Sequence, residues 1–468
     1  MKKVKVAILG AGTAGLTAMS QVRRQTEDFV IIDGGALGTT CARVGCMPSK
    51  ALIHSANHYH ARNDFAEIGI HGGEALSVNQ AEVLERVRAL RDRFSGGVAN
   101  NMLSNLKSEQ FIEGYAKFIA LNRLEVNGEQ IEAERVIIAT GSRPVVPALW
   151  QAFGDRILTS DDIFELETFP ESVAVVGLGA IGIELGQAMS RLGVKVIGFE
   201  MLNTVAGLSE PNARDAAVSL ISQEFPIYLG EAANISEGSD GKLQLSNSAG
   251  SFEVDAVLAS LGRRPNIDQL GIENLGIELD EQGMPPFDIE TMQISDLPVF
   301  MAGDVNRFRP ILHEAGYEGK IAGINAMKYP QVEHYHRVAP MGIVFTDPEV
   351  ALFGKRYSEL DLDRVEVACF HLEKANGRAI VQQVDKGVIS LFADKETQQL
   401  IGGELVMAEA EHFAHLLGWA VEQGMTVQRL LQMPFYHPVL EEAIQSALQQ
   451  LAKTLYKADE PIDLVKIG

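Results

Sequence analysis

Two glycine patterns of the form G-x-G-x-x-G stand at the same internal register in this chain, and nothing else in it restricts the fold as strongly. The first is Gly10-Ala11-Gly12-Thr13-Ala14-Gly15, after the apolar run 4–9 and before a helix-forming stretch, 16–24. The next apolar run, 29–32, ends on Asp33. The second is Gly177-Leu178-Gly179-Ala180-Ile181-Gly182, between the runs 173–176 and 183–192, and the run 194–199 ends on Glu200. Gly10 and Gly177 are 167 positions apart, and so are Asp33 and Glu200. Each unit reads as strand, glycine turn, helix, strand, acid. Glycines let the backbone approach a pyrophosphate, the helix N-terminus faces its charge, and the acid can bond a ribose hydroxyl. A single such pattern is weak, because packing alone can require glycines. Two copies in one register predict two dinucleotide sites.

Between them lies Gly38-Thr39-Thr40-Cys41-Ala42-Arg43-Val44-Gly45-Cys46-Met47-Pro48-Ser49-Lys50, with two of the three cysteines in 468 residues. Ala51, Leu52 and Ile53 follow, so the pair sits at or near a helix start, where thiolates are stabilised. Five residues of straight helix rise ~7.5 Å, whereas bridged Cα atoms lie ~4.4–6.8 Å apart. A Cys41–Cys46 bridge therefore needs a distorted first turn, which Gly45 permits, and such a bridge could be reducible. The bland alternatives are two small buried side chains or two metal ligands. Metal sites usually add Cys or His at short spacing; only His54, His58 and His60 follow here, on an expected helix.

A net charge of −22 argues against a nucleic-acid or anionic-membrane partner. Three cysteines are too few for a secreted disulfide scaffold. No run reaches the ~18 apolar residues of a membrane span, so a cytoplasmic protein is expected.

Residues 73–109 carry an amphipathic helical pattern (Leu84, Val87, Leu90, Phe94) that Gly96-Gly97 is expected to break. Segments 136–144 and 256–265 resemble each other: each is an apolar strand ending in glycine, arginine and proline. They stand 121 positions apart and suit the strand that closes each nucleotide domain. From about His336 the pattern changes to alternating strands, with helices expected at 408–424 and 438–456, an α+β arrangement. His437 precedes the last helix, Pro438 suits that helix's first position, and Glu442 lies near enough to orient the imidazole. A His-Pro turn by itself is more often structural than catalytic.

Taken together, the two glycine patterns, Cys41-x4-Cys46 with Pro-Ser-Lys after it, Ala139-Thr140-Gly141, Gly303-Asp304, and His437-Pro438 with Glu442 resemble the flavin-dependent pyridine nucleotide–disulfide oxidoreductases, and within them the dihydrolipoamide dehydrogenases most. The resemblance covers essentially the whole chain. It implies an α/β fold of two Rossmann-like dinucleotide-binding domains, for FAD and NAD, plus a C-terminal α+β dimerisation domain. The expected boundaries are 1–145 for the first part of the FAD domain, 146–264 for NAD, 265–335 for a central domain completing the FAD site, and 336–468 for the interface domain.

Carried onto this chain, the resemblance assigns Gly10, Gly12, Gly15, Asp33, Gly141 and Asp304 to FAD. It places Lys50 and Glu184 beside the flavin ring, and Gly177, Gly179, Gly182 and Glu200 at NAD. Cys46 becomes the thiolate facing the flavin, and Cys41 the sulfur that exchanges with substrate. His437 and Glu442 become the acid–base pair, acting on the disulfide of the other subunit of a homodimer. The implied reaction passes electrons from dihydrolipoamide, free or on a lipoyl domain of a multienzyme complex, to NAD.

Four positions depart from the family pattern: Arg43 replaces Asn, Ala42 a larger apolar residue, Val439 a Thr, and Asp33 a Glu. A guanidinium beside the disulfide would lower a thiol pKa or accept an anionic substrate. The alternatives are an NAD(P)H-dependent reductase of another disulfide or of mercuric ion, and an NADH-sensing flavoprotein subunit without turnover. Mercuric chemistry would call for cysteines near the C-terminus, and none follows Cys369. NADPH would call for cations after Glu200, where the chain reads Met201-Leu202-Asn203-Thr204.

Overall fold

The computed structural model describes residues 1–374, 376–456 and 462–465. The last stretches of the expected interface domain, 457–461 and 466–468, lie outside the described residues.

The first glycine pattern belongs to a seven-stranded sheet. Lys2–Leu9 is central, with Phe29–Asp33 and then Phe111–Glu113 parallel on one side and Glu129–Ile138 parallel on the other. Strand Glu129–Ile138 is long enough to serve two partners. Its first half pairs antiparallel with Arg123–Val126, and its second half parallel with Val299–Met301. Residues far along the chain thus return to complete the first sheet.

On that sheet, helix Thr13–Val22 packs against helix Leu312–Lys328 at very short range. Small residues make this possible. A Cβ on Gly319 would meet the Ala14 carbonyl oxygen at 2.3 Å, and one on Gly323 the Ala18 carbonyl oxygen at 2.6 Å.

The second pattern belongs to a five-stranded parallel sheet. Its order is Ile227–Leu229, Lys195–Glu200, Ser172–Val176, Ala256–Ala259, Ile157–Leu158. Strand Ser172–Val176 is buried along its whole length, as a central parallel strand covered on both faces must be. The chain then builds an antiparallel sheet in the order Met341–Val344, Glu349–Gly354, Leu400–Met407, Val388–Asp394, Val365–His371. Helices Ala410–Glu422 and Glu442–Leu455 pack on it and share its apolar core.

Several expectations are corrected. Gly96-Gly97 does not break the long helix, which runs unbroken over Gln80–Ser104. A helical glycine costs only about 1 kcal/mol relative to Ala, too little to undo seven turns anchored by buried Leu84 and Val87. Phe94, read as part of the apolar face, is exposed.

Pro438 is not at a helix start. The last helix begins at Glu442, the bond His437–Pro438 is cis, and a separate short helix, Val427–Leu431, precedes it. Finally, the two Gly-Arg-Pro segments do more than end their sheets. Their tails, Ser142–Pro144 and Arg263–Pro265, pair antiparallel with each other where the chain crosses between the nucleotide sheets.

Candidate active site

The glycine turns divide their work the same way in both copies. Gly10 has φ +108°, and a Cβ there would meet the Ala139 carbonyl oxygen at 2.3 Å; Gly177 has φ +93° and would meet that of Ser260 at 2.3 Å. Gly15 and Gly182 each lie so close to the first glycine's carbonyl that a Cβ would approach it to 1.9 Å. Gly12 and Gly179 differ: a Cβ on either meets no atom within 4 Å. Nothing in the protein requires glycine there. Each caps the N-terminus of a helix, Thr13–Val22 or Ala180–Arg191, so the space a Cβ would take is open at a helix end suited to a phosphate group.

The terminal acids repeat as closely. Asp33 accepts from Ala11 N at 2.6 Å and from Gly35 N at 2.7 Å. Glu200 accepts from Leu178 N at 2.8 Å and from Leu202 N at 2.9 Å. Every partner is again displaced by 167 positions. Both acids are therefore locked onto their own turns, on the side where a ribose would lie.

Cys41 and Cys46 sit on either side of a break rather than in one distorted turn. Cys41 lies in the short helix Thr40–Val44, and Cys46 opens helix Cys46–His60. Gly45 separates them at φ −127°, ψ −117°, outside both helical and ordinary strand conformations. Both are thiols here, and they differ sharply. The hydrogen bond from Cys41 is the main influence on Cys46, with the Lys50 charge assisting, and lowers its pKa to about 7. The same hydrogen bond and burial push Cys41 far up. Of the two, Cys46 is the one that ionises more readily.

Lys50 Nζ is 2.8 Å from Glu184 Oε2 and 4.4 Å from the centre of the Phe345 ring. Arg43 does not supply the charge expected to lower a thiol pKa. Its Nη1 donates to the Ala36 carbonyl at 3.3 Å, and the charges that act on the cysteines are Lys50 and Glu184. Two residues from Cys41 on a helix, Arg43 faces away from it.

One cavity of about 980 Å³ joins these groups. It is lined by Gly12, both cysteines, Lys50, Gly141 and Asp304, and by Gly179 and Glu184 of the second nucleotide unit. Ser142 Oγ donates to Asp304 Oδ2 at 2.9 Å, and Arg263 Nε donates to Ser142 Oγ at 2.9 Å. Sequence reasoning missed Ser142, Arg263 and Phe345. The doubled Gly-Arg-Pro element carried the signal for the first two.

His437 lies elsewhere. Its Nδ1 is 2.9 Å from Glu442 Oε1, which His437 holds below the usual carboxylate range, yet the ring is 78% exposed and does not line the cavity.

The residues present fit FAD and a pyridine nucleotide. Open space stands at both cap glycines, an acid is held beside each glycine turn, and one cavity reaches both cap glycines and the two cysteines. Fold and site together define a protein with two dinucleotide sites and a dithiol centre between them.

The chain matches the pyridine nucleotide-disulphide oxidoreductase family over residues 4–322 and that family's dimerisation domain over 341–448. It belongs to this family, whose oxidoreductases act on disulfides and use FAD and NAD(H). It is 30% identical to the dihydrolipoyl dehydrogenase of Geobacillus stearothermophilus over 460 residues, 94% of this chain and 95% of that protein. Among solved structures it is similar to LpdA of Mycobacterium tuberculosis (TM-score 0.82, 25% identity, 96% of this chain and 100% of that one). The HOCl-induced flavoprotein disulfide reductase RclA of Escherichia coli shares the fold (TM-score 0.81, 21% identity, 96% and 100%). Among the described residues, no helix is long and apolar enough to cross a membrane.

Proposed function

We propose that this protein is a homodimeric dihydrolipoyl dehydrogenase, moving two electrons from dihydrolipoamide to NAD⁺ through Cys41 and Cys46. FAD, when bound, supplies the two-electron exchange between thiol and nicotinamide chemistry. The observation that carries the reading is the asymmetry of the cysteines. In the oxidised enzyme a substrate thiolate attacks Cys41 Sγ, the Cys41–Cys46 bond breaks, and Cys46 leaves as the thiolate. The low pKa of Cys46 makes it the better leaving group. The second substrate thiol then attacks its own half of the mixed disulfide. Oxidised lipoamide departs, and Cys41 is released and takes a proton.

His437 of the partner subunit takes up the substrate's proton, and Glu442 keeps its Nδ1 hydrogen-bonded so that Nε2 is the basic atom. Lys50 holds the charge balance beside Cys46, while Glu200 selects the nicotinamide cofactor. The 30% identity to dihydrolipoyl dehydrogenases along nearly the whole chain supports the substrate class. A lipoyl domain is the protein-borne form of the same substrate.

Purified protein is assayed for NAD⁺ reduction with dihydrolipoamide, and in reverse for NADH oxidation with lipoamide and with other small disulfides. Turnover only with a disulfide other than lipoamide would replace this reading with that of another disulfide reductase. No turnover with any disulfide would leave a sensing flavoprotein.

A further inference from the structure

The redox reaction leaves His54, His58 and His60 unused, although they ride on the helix that Cys46 opens. His60 is held in a polar setting of its own, with Asn63 Nδ2 3.4 Å from its Nδ1 and Arg191, Glu224 and Asp347 around it. His54 and His58 are different. Four residues apart, they lie one above the other on one face of the helix. Both are exposed, and their ring centroids are 4.2 Å apart at an interplanar angle of 46°.

His58 Nδ1 lies 2.9 Å from the His54 carbonyl oxygen. A carbonyl can only accept, so that bond places the hydrogen on Nδ1 and leaves the lone pair on Nε2. Imidazoles that bind metals are commonly fixed in this way, with the far ring nitrogen bonded to a carbonyl.

We propose that His54 and His58 form a two-imidazole site for a divalent transition ion of the copper(II), nickel(II) or zinc(II) kind. With the His58 ring held by its bond to the His54 carbonyl and the two rings 4.2 Å apart, rotation of the His54 side chain alone can bring both imidazoles to one ion. Among the described residues no group of three or more His, Cys, Asp or Glu is placed to hold a metal, so water completes the coordination. With nitrogen ligands alone, hard oxygen-seeking ions such as magnesium and calcium are excluded and copper(II) binds most tightly. The nearby cation is Arg86, whose Nη1 is directed to Ala51 O and Ser55 Oγ. Its charge weakens the binding of every divalent ion alike, so the choice among them rests on the bond to imidazole. The site is separate from the dithiol, because eight residues of helix place His54 ~12 Å along the axis from Cys46.

The test uses the FAD-loaded protein with its thiols alkylated, titrated with copper(II) and, separately, nickel(II). Binding is followed by equilibrium dialysis, and the copper site by electron paramagnetic resonance. The expected result is one saturable ion per chain with hyperfine structure from two nitrogens. His54→Gln and His58→Gln should each weaken binding about tenfold or more, and the double variant little further, since one chelate is lost once. His71→Gln, at another exposed histidine, should change nothing. Metal-free melting temperatures equal to wild type establish that the variants fold. Wild-type affinity in either single variant, or an equal loss in His71→Gln, would overturn the site and leave the redox reading untouched.

Discussion

Lys50 and Glu184, 134 positions apart, are joined by an ion pair of 2.8 Å. The pair ties the helix opened by Cys46 to the helix opened by the second glycine pattern. Glu184 Oε1 also accepts from Phe345 N at 2.8 Å, so the segment that begins the third sheet is held to the same point. Glu184 is buried while Lys50 is about a third exposed (7% and 32% of their side chains). A buried charge left alone costs about 3–5 kcal/mol, and the exposure of Lys50 reduces that here. Three parts of the chain thus meet at one charge pair, and the two charges act on Cys46 with opposite sign.

The first prediction follows from those signs. Lys50 lowers the pKa of Cys46 and Glu184 raises it, around a value of about 7. Lys50→Met should move the pH midpoint for iodoacetamide alkylation of Cys46 upward in the reduced protein, and Glu184→Gln should move it downward. Peptide mass analysis would follow Cys46 separately from Cys41, which stays a thiol until higher pH. Shifts of the same sign in both variants would show that the pair acts by packing rather than by charge.

A second prediction separates glycines kept for the fold from glycines kept for a ligand. Gly15→Ala forces a Cβ onto the Gly10 carbonyl at 1.9 Å and should lower the melting temperature even without cofactor. Gly12→Ala meets no protein atom within 4 Å and should leave that temperature unchanged while weakening FAD retention. By the same logic Gly179→Ala should keep its FAD and raise the KM for NAD⁺, whereas Gly182→Ala should destabilise. Equal melting losses for Gly12→Ala and Gly15→Ala would contradict this division.

Much of this architecture could be read before any coordinates, because two periodic signals repeat. The 167-position offset located both strand–turn–helix units and both acids; the backbone donors that each acid takes were not read from it, though they repeat at the same offset. What could not be read depended on contacts between distant segments. Nothing local in 142–144 or 263–265 says that they pair with each other. Arg43 looked influential from its position in the cysteine motif, but helix geometry turns it toward Ala36. The helix break expected at Gly96-Gly97 failed for a related reason: local propensity was outweighed by the packing of Leu84 and Val87.

The third prediction concerns cofactor choice. Both oxygens of Glu200 are held by backbone N–H groups, so the carboxylate cannot swing away from a 2′-phosphate. NAD⁺ should be preferred over NADP⁺ by about 1–3 kcal/mol in kcat/KM, a factor of roughly 10–200. Glu200→Ser should narrow the gap, mostly through the KM for NADP⁺. Unmodified protein using both cofactors equally well would refute the role given to Glu200.

The last prediction is that each active site is built from two chains. His437 and Glu442 form a finished pair, with the imidazole held at 2.9 Å and Glu442 Oε2 also accepting from Val439 N at 3.2 Å. Yet the ring is 78% exposed, Tyr436 beside it is 79% exposed, and neither lines the cavity that holds Cys41. An acid–base pair so completely assembled, and turned outward, is placed to act on something its own chain does not hold. Mixing Cys41→Ser with His437→Gln under conditions that allow subunit exchange tests this. In a two-fold dimer with shared sites, each mixed dimer has one site with both lesions and one with neither. Random exchange of equal amounts makes about half of the dimers mixed, so activity should return to roughly a quarter of wild type. No recovery, with exchange demonstrated by differential labelling, would put His437 either with the disulfide of its own chain or outside the reaction.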